Sequence, residues 1–130
     1  MGNSMPYIST EVFRKDHRVI LARNRKYASL VPIVLEYDAT GYYAGQVIAR
    51  NTTSELWTKY VAAGSSGTDT AVGILFNDVL DMPASAVGGG DLIVRGEVYQ
   101  DNCLDLDSDA ITDLGGRSVV SGTGSTILIF

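Results

Sequence analysis

The side chains best equipped for chemistry lie in one acidic run, Asp101-Asn102-Cys103-Leu104-Asp105-Leu106-Asp107-Ser108-Asp109. Asp105, Asp107 and Asp109 have the first, third and fifth spacing of a calcium loop, whose carboxylates would ligate the ion. The pattern then breaks. Its sixth position, which needs glycine for the turn, is Ala110, and its twelfth is Gly116 rather than a bidentate glutamate. A solvated loop that caps a short helix fits the same residues better. Cys103 is the only cysteine, so it cannot close an internal disulfide or build a metal site alone. The acids around it are expected to raise the thiol pKa, the wrong direction for a nucleophile. Cys103 therefore reads as a small, semi-buried residue.

The other routes to catalysis are no better furnished. His17 is the only histidine and sits between Asp16 and Arg18 in a stretch without a packing pattern. A catalytic imidazole has to be held and oriented by partners, so His17 reads as a surface residue. Residues 41–130 hold eleven acids, enough for paired-carboxylate chemistry, but no aromatic sugar platform singles out a pair. Trp57, the lone tryptophan, reads as a core or interface anchor. The glycines form neither GxxxxGK[ST] nor GxGxxG opening a helix. Asn51-Thr52-Thr53 matches a glycosylation sequon, but without a secretory signal it reads as turn chemistry. No enzyme, metal or cofactor is expected, and a structural or interaction protein is left.

The elements that would position these residues are mostly strands. One domain suits 130 residues, and fourteen glycines argue for many turns rather than a helical bundle. Residues 1–29 show no sustained period and read as an extended N-terminal arm with scattered apolar anchors. Residues 30–37, LVPIVLEY, make a first strand, with Pro32 favouring an edge or a strand start. Residues 45–50 and 56–61 form a hairpin across a turn at 51–54, placing Trp57 in the core. Residues 71–76, AVGILF, make a deeply buried strand in which Gly73 marks a bulge or a close backbone approach. Residues 82–90 read as loop. Residues 91–99 alternate, with Leu92, Val94, Gly96 and Val98 on one face and only one face in the core. Residues 107–114 make a short helix that Gly115 ends, and 123–130 a last strand. The expected fold is mostly β: a small β-barrel-like or β-tulip domain over residues 30–130, with one or two short helices and the arm at 1–29.

Charge and hydropathy limit the partners. Residues 1–40 carry a net +2 and residues 41–130 a net -7. An acidic body does not suit direct nucleic-acid binding, because phosphate contacts need concentrated positive charge. No apolar run is long enough for a membrane helix, and MGNSMPYIST lacks a signal-peptide pattern, so a cytosolic product is expected.

One stretch also carries a family likeness: Ala44-Gly45-Gln46-Val47-Ile48-Ala49, then Tyr60, Gly67-Thr68, and Ala71-Val72-Gly73-Ile74-Leu75-Phe76-Asn77-Asp78-Val79, with Val94-Arg95-Gly96-Glu97-Val98 following. It resembles the head decoration proteins of tailed bacteriophages, well over residues 41–99 and loosely over 100–130. The resemblance implies a homotrimer made in the host bacterial cytoplasm and found on the virion. There it would clamp the major capsid protein at local threefold sites on the outside of the expanded head. Tyr7, Ile8, Val12 and Phe13 are then the candidate capsid-binding anchors of the arm. Two rivals remain: a carbohydrate-binding surface module using Trp57, Tyr42, Tyr43 and Tyr60, and a small hydrolase using two of the acids.

Overall fold

A computed structural model describes residues 21, 28–121 and 124–129. Most of the expected arm, with Tyr7, Ile8, Val12, Phe13 and His17, lies outside the described residues. The chain runs through β1 (Ser29–Leu35), β2 (Val47–Arg50), β3 (Trp57–Lys59), β4 (Ala71–Leu75) and β5 (Gly88–Tyr99). A 3-10 turn at Gln100–Asn102 leads to α1 (Ser108–Asp113), and β6 (Arg117–Ser121) and β7 (Gly124–Ile129) close the chain.

The sheet order is β1-β3-β2-β4-β5-β7-β6, and β1 also pairs with β5. That extra pairing closes β1 to β5 into a five-stranded barrel and leaves β7 and β6 as a flap continuing from β5. The β1–β5 seam is antiparallel from Ser29↔Arg95 to Leu35↔Gly88. On its other side β1 meets β3 at Leu35↔Trp57. Among the described residues, the stretch of β1 that contains Pro32 therefore has a neighbour strand on one side, the setting in which a missing donor costs least.

Two apolar clusters share the barrel wall. Ile33, Leu35, Tyr42, Ile48, Leu75 and Leu92 fill the barrel. Val47, Ala49, Ile74, Ile93 and Val98 point the other way, where Ala110 and Leu114 around α1 and Ile127 and Ile129 of β7 cover them. Neighbouring residues such as Ile74 and Leu75, or Leu92 and Ile93, thus go to opposite clusters, and all four are at most 1% exposed. A strand buried on both faces has no polar side, which explains why AVGIL reads as a continuous apolar run.

Several expectations need correction. Residues 91–99 do not bury a single face: Ile93 and Val98 share one cluster although they lie five positions apart, an odd step. The cause is a bulge. Ser29 pairs with Arg95 but Leu30 with Ile93, so Val94 is the extra residue and inverts the alternation. A second bulge pairs Ile48 with Gly73 and Ala49 with Ala71, skipping Val72. It turns Val72 outward, where it is 38% exposed, so this strand is not buried throughout. The strand also stops at Leu75, before the half-buried Phe76. Gly88, Gly89 and Gly90, expected as loop, begin β5 because Leu35, Val34 and Ile33 of β1 pair with them. Strand β6 had no sequence signal of its own and is held by five pairs to β7. Trp57 packs against the barrel cluster from outside and is half-buried rather than in the core.

Gly73 meets its expectation. A Cβ there would lie 2.6 Å from the Ile93 carbonyl oxygen and 2.7 Å from Leu92 Cγ, so the strands approach too closely for a side chain. The helix also forms as its local sequence requires. Asp107 caps it by accepting from the Ala110 N–H at 2.8 Å. Gly115, at φ 69°, ends it. The Gly116 and Gly115 amides donate back to the Ile111 and Thr112 carbonyls, the paired bonds of a Schellman motif.

Candidate functional site

The acidic run folds over the outer face of the barrel, and two of its carboxylates, with Asp113 beyond it, hold it there. Asp105, at φ 63°, accepts from Gln46 Nε2 at 2.9 Å. Gln46 is a buried polar side chain on the segment leading into β2, 4% exposed. Asp107 accepts from the Tyr60 hydroxyl at 3.1 Å while capping α1. Asp113, at the other end of α1, accepts from the Ala71 N–H at 3.0 Å where β4 begins. Three carboxylates thus pin one connection to three different places on the barrel wall. No group of three or more metal-ligating side chains is found among the described residues. Of the three acids with calcium-like spacing, Asp105 and Asp107 have this structural use.

A cleft of about 660 Å³ opens where this connection meets the end of β3. Val61, Ala62, Cys103 and Leu106 give it an apolar lining, and Tyr60, Asp105 and Asp107 a polar one. Burial pushes the Tyr60 hydroxyl up to about 12, with the Asp107 hydrogen bond and carboxylate charge acting the same way. The half-buried Cys103 thiol donates to the Tyr99 carbonyl at 3.4 Å. Its pKa is pushed up to about 12, and the cause is burial rather than the neighbouring acids expected from sequence. A thiol in that state is a poor nucleophile at neutral pH.

At the barrel's other polar cluster, Lys59 Nζ sits 3.3 Å from Asp38 Oδ2 and donates to Thr40 Oγ1 at 3.0 Å. Its ammonium lies 5.4 Å from the centre of the Tyr42 ring. The Thr40 hydroxyl donates to Asp38 at 2.6 Å and holds that carboxyl below its ordinary pKa, with the Thr40 amide and Lys59 adding to the effect and burial opposing it. Tyr42 itself is fully buried and donates to the Glu36 carbonyl at 2.8 Å. Of the four aromatic residues considered for a sugar platform, Tyr42 and Tyr60 are therefore in the core, and Tyr43 and the half-buried Trp57 reach solvent.

The stretch that carried the family likeness turns out to be framework. The Gly45 amide donates to Leu75, and the Leu75 amide to Gln46. Tyr42 and Val79 exchange both of their backbone bonds. Asp78 accepts from the Ala44 amide at 2.7 Å, and Asn77 from the Asp91 amide at 3.0 Å. Asp78 thus ties the segment after β4 to the one before β2, and Asn77 ties it to β5. Exposed apolar side chains collect where β1 ends and β5 begins: Tyr37, Leu80 and Val87, with Val34 on the adjoining strand, are each 39–55% exposed. They flank this end of the seam in sequence, where Gly88 lies opposite Leu35 and a Cβ on it would approach Val79 and Met82. Sequence reasoning missed this patch because single exposed apolar residues carry no pattern. No protein-family model, curated protein or solved structure matches the chain.

Proposed function

We propose that this protein is a non-enzymatic capsid decoration protein of a tailed bacteriophage. It binds the outside of the expanded head as a trimer at local threefold sites and reinforces the shell against packaged DNA. The observation that carries the reading is the placement of the likeness. Ala44–Gly45–Gln46, the AVGIL strand and Asn77–Asp78–Val79 together form the junctions of one closed barrel. The residues that carry the likeness are thus contiguous in the fold rather than scattered. The reading is supported by the commitment of Asp105, Asp107 and Asp113 to packing. The exposed patch around Tyr37, Leu80 and Val87 gives the body an apolar contact face.

In this reading the N-terminal residues, with Tyr7, Ile8, Val12 and Phe13 as anchors, add to a sheet edge on the major capsid protein. Backbone hydrogen bonds supply such binding with little demand on side chains. Ordering costs about 1–2 kcal/mol per residue, and three arms on one trimer offset it by avidity on the order of 10²-fold. Co-sedimentation with expanded, undecorated heads tests the proposal. Full-length protein is expected to saturate at a fixed ratio to the shell subunit, and protein lacking residues 1–20 to stay in the supernatant. Equal binding by both removes the arm from the reading; no binding by either removes the capsid.

A further inference from the structure

Leu21 pairs antiparallel with Val98 near the end of β5. It packs against the cluster that Tyr60 and Ala110 also join. This one contact joins the two most oppositely charged parts of the chain. Residues 14–26 hold six Lys/Arg against one acid, whereas residues 97–113 hold six acids and no Lys, Arg or His. The cleft lies within the acidic part. Cys103, on its lining, bonds to Tyr99, the neighbour of Val98. The donors to Asp105 and Asp107 at the cleft, Gln46, Tyr60 and the Ala110 amide, carry no positive charge. Beside them Val61 is 51% exposed, an apolar surface with a charged rim.

From these placements we infer that the cleft between Val61 and Leu106 is the docking site, in the free protein, of this chain's own segment 12–18. Val12 and Phe13 supply apolar side chains for the lining, and Arg14, Lys15 and Arg18 supply cations for Asp105 and Asp107. Phe13 lies eight positions before Leu21, so it can sit up to about 26 Å from it when extended. The contact is intramolecular, so modest surface attractions suffice where a separate peptide would need a large interface. It is also salt-sensitive, since partly exposed charges are screened over about 10 Å at ordinary ionic strength. The inference does not rest on the capsid reading, and no shell enters its test.

Cys103 is the built-in reporter, being the single cysteine and part of the cleft lining. The rate of its modification by uncharged N-ethylmaleimide is measured at fixed pH on the full chain. Raising salt from about 20 to about 500 mM is expected to speed the reaction about tenfold, the scale of two or three surface ion pairs. The full-chain variant Arg14→Glu, Lys15→Glu, Arg18→Glu is expected to react at the fast rate in low salt, with far-UV circular dichroism that shows the barrel still folded. Equal low-salt rates for the wild-type chain and the triple variant overturn the inference. Protection that disappears on dilution also overturns it, and assigns the cleft to the segment of a second copy.

Discussion

Replacing Gly73 by alanine is expected to destabilise the barrel, whereas the same change at Gly89 is expected to stabilise it. Both glycines lie in strands of the barrel wall, in β4 and β5. At Gly73 the new Cβ meets the Ile93 carbonyl oxygen at 2.6 Å and Leu92 Cγ and Cδ1 at 2.7 and 2.9 Å. The carbonyl is backbone in a paired strand, and Leu92 is 1% exposed inside the barrel, so neither can give way cheaply. Overpacking of this kind costs about 1–3 kcal/mol. Loss of unfolded-chain freedom returns about 0.4–1 kcal/mol, leaving a net cost of about 1–2 kcal/mol. At Gly89 nothing lies within 4 Å of the added carbon, so only the favourable part remains. With about 4 °C per kcal/mol for a domain of this size, Tm should fall by about 4–8 °C for Gly73→Ala and rise by about 2–4 °C for Gly89→Ala. Thermal unfolding of the full chain, followed by circular dichroism and Trp57 fluorescence, measures both. Equal midpoints, or a more stable Gly73→Ala, would refute the close approach of β4 to Leu92 and with it the bulge at Val72.

Other outcomes follow from the polar contacts. Asp107→Ala should lose about 1 kcal/mol in urea unfolding as α1 loses its cap, with Asp107→Ser recovering much of it. Thr40→Val should raise the Asp38 pKa in an NMR titration, and more than Lys59→Met does, because the Thr40 hydroxyl is the largest cause of the lowering. Since that pKa is depressed on folding, the stability it contributes is present at neutral pH and lost as pH falls through the folded value. Alkylation of Cys103 should keep rising about tenfold per pH unit past the usual thiol range, because the folded thiol titrates at about 12. A plateau near pH 9 would contradict its burial. Between those two values the unfolded thiol is ionised while the folded one holds its proton, so Cys103 costs stability as pH rises.

Much of the candidate site was visible in the sequence only as a set of residue types. The acids at 105, 107 and 109 suggested either a metal loop or a capped helix, and local rules favoured the second. What those acids hold was hidden, because Gln46 and Tyr60 lie 59 and 47 residues away. The Tyr42, Tyr43, Trp57 and Tyr60 group looked like one aromatic surface. Burial of Tyr42 and Tyr60 divided it, and burial is a property of what the rest of the chain brings alongside.

By itself the sequence determined what short-range chemistry controls. Asp107 and Gly115 bound the helix through their own backbone neighbours. The run from Ala71 to Leu75 reads as a strand from its continuous apolar, partly β-branched composition, and Gly73 marks the place where no side chain fits. The β2–β3 hairpin follows from a turn flanked by two runs. Tertiary structure decided the remainder. Closure of the barrel depends on β1 finding β5, roughly sixty residues along the chain, and that pairing alone draws Gly88–Gly90 into a strand. The bulges at Val72 and Val94 invert which side chains enter the core, and a period-two reading has no means of sensing an extra residue opposite a distant partner. Strand β6 exists through its pairing with β7, and Leu21 meets Val98 only when β5 is in place. Local propensity fixes where the backbone extends or turns; long-range pairing fixes which faces are buried, and therefore which surfaces remain for a partner.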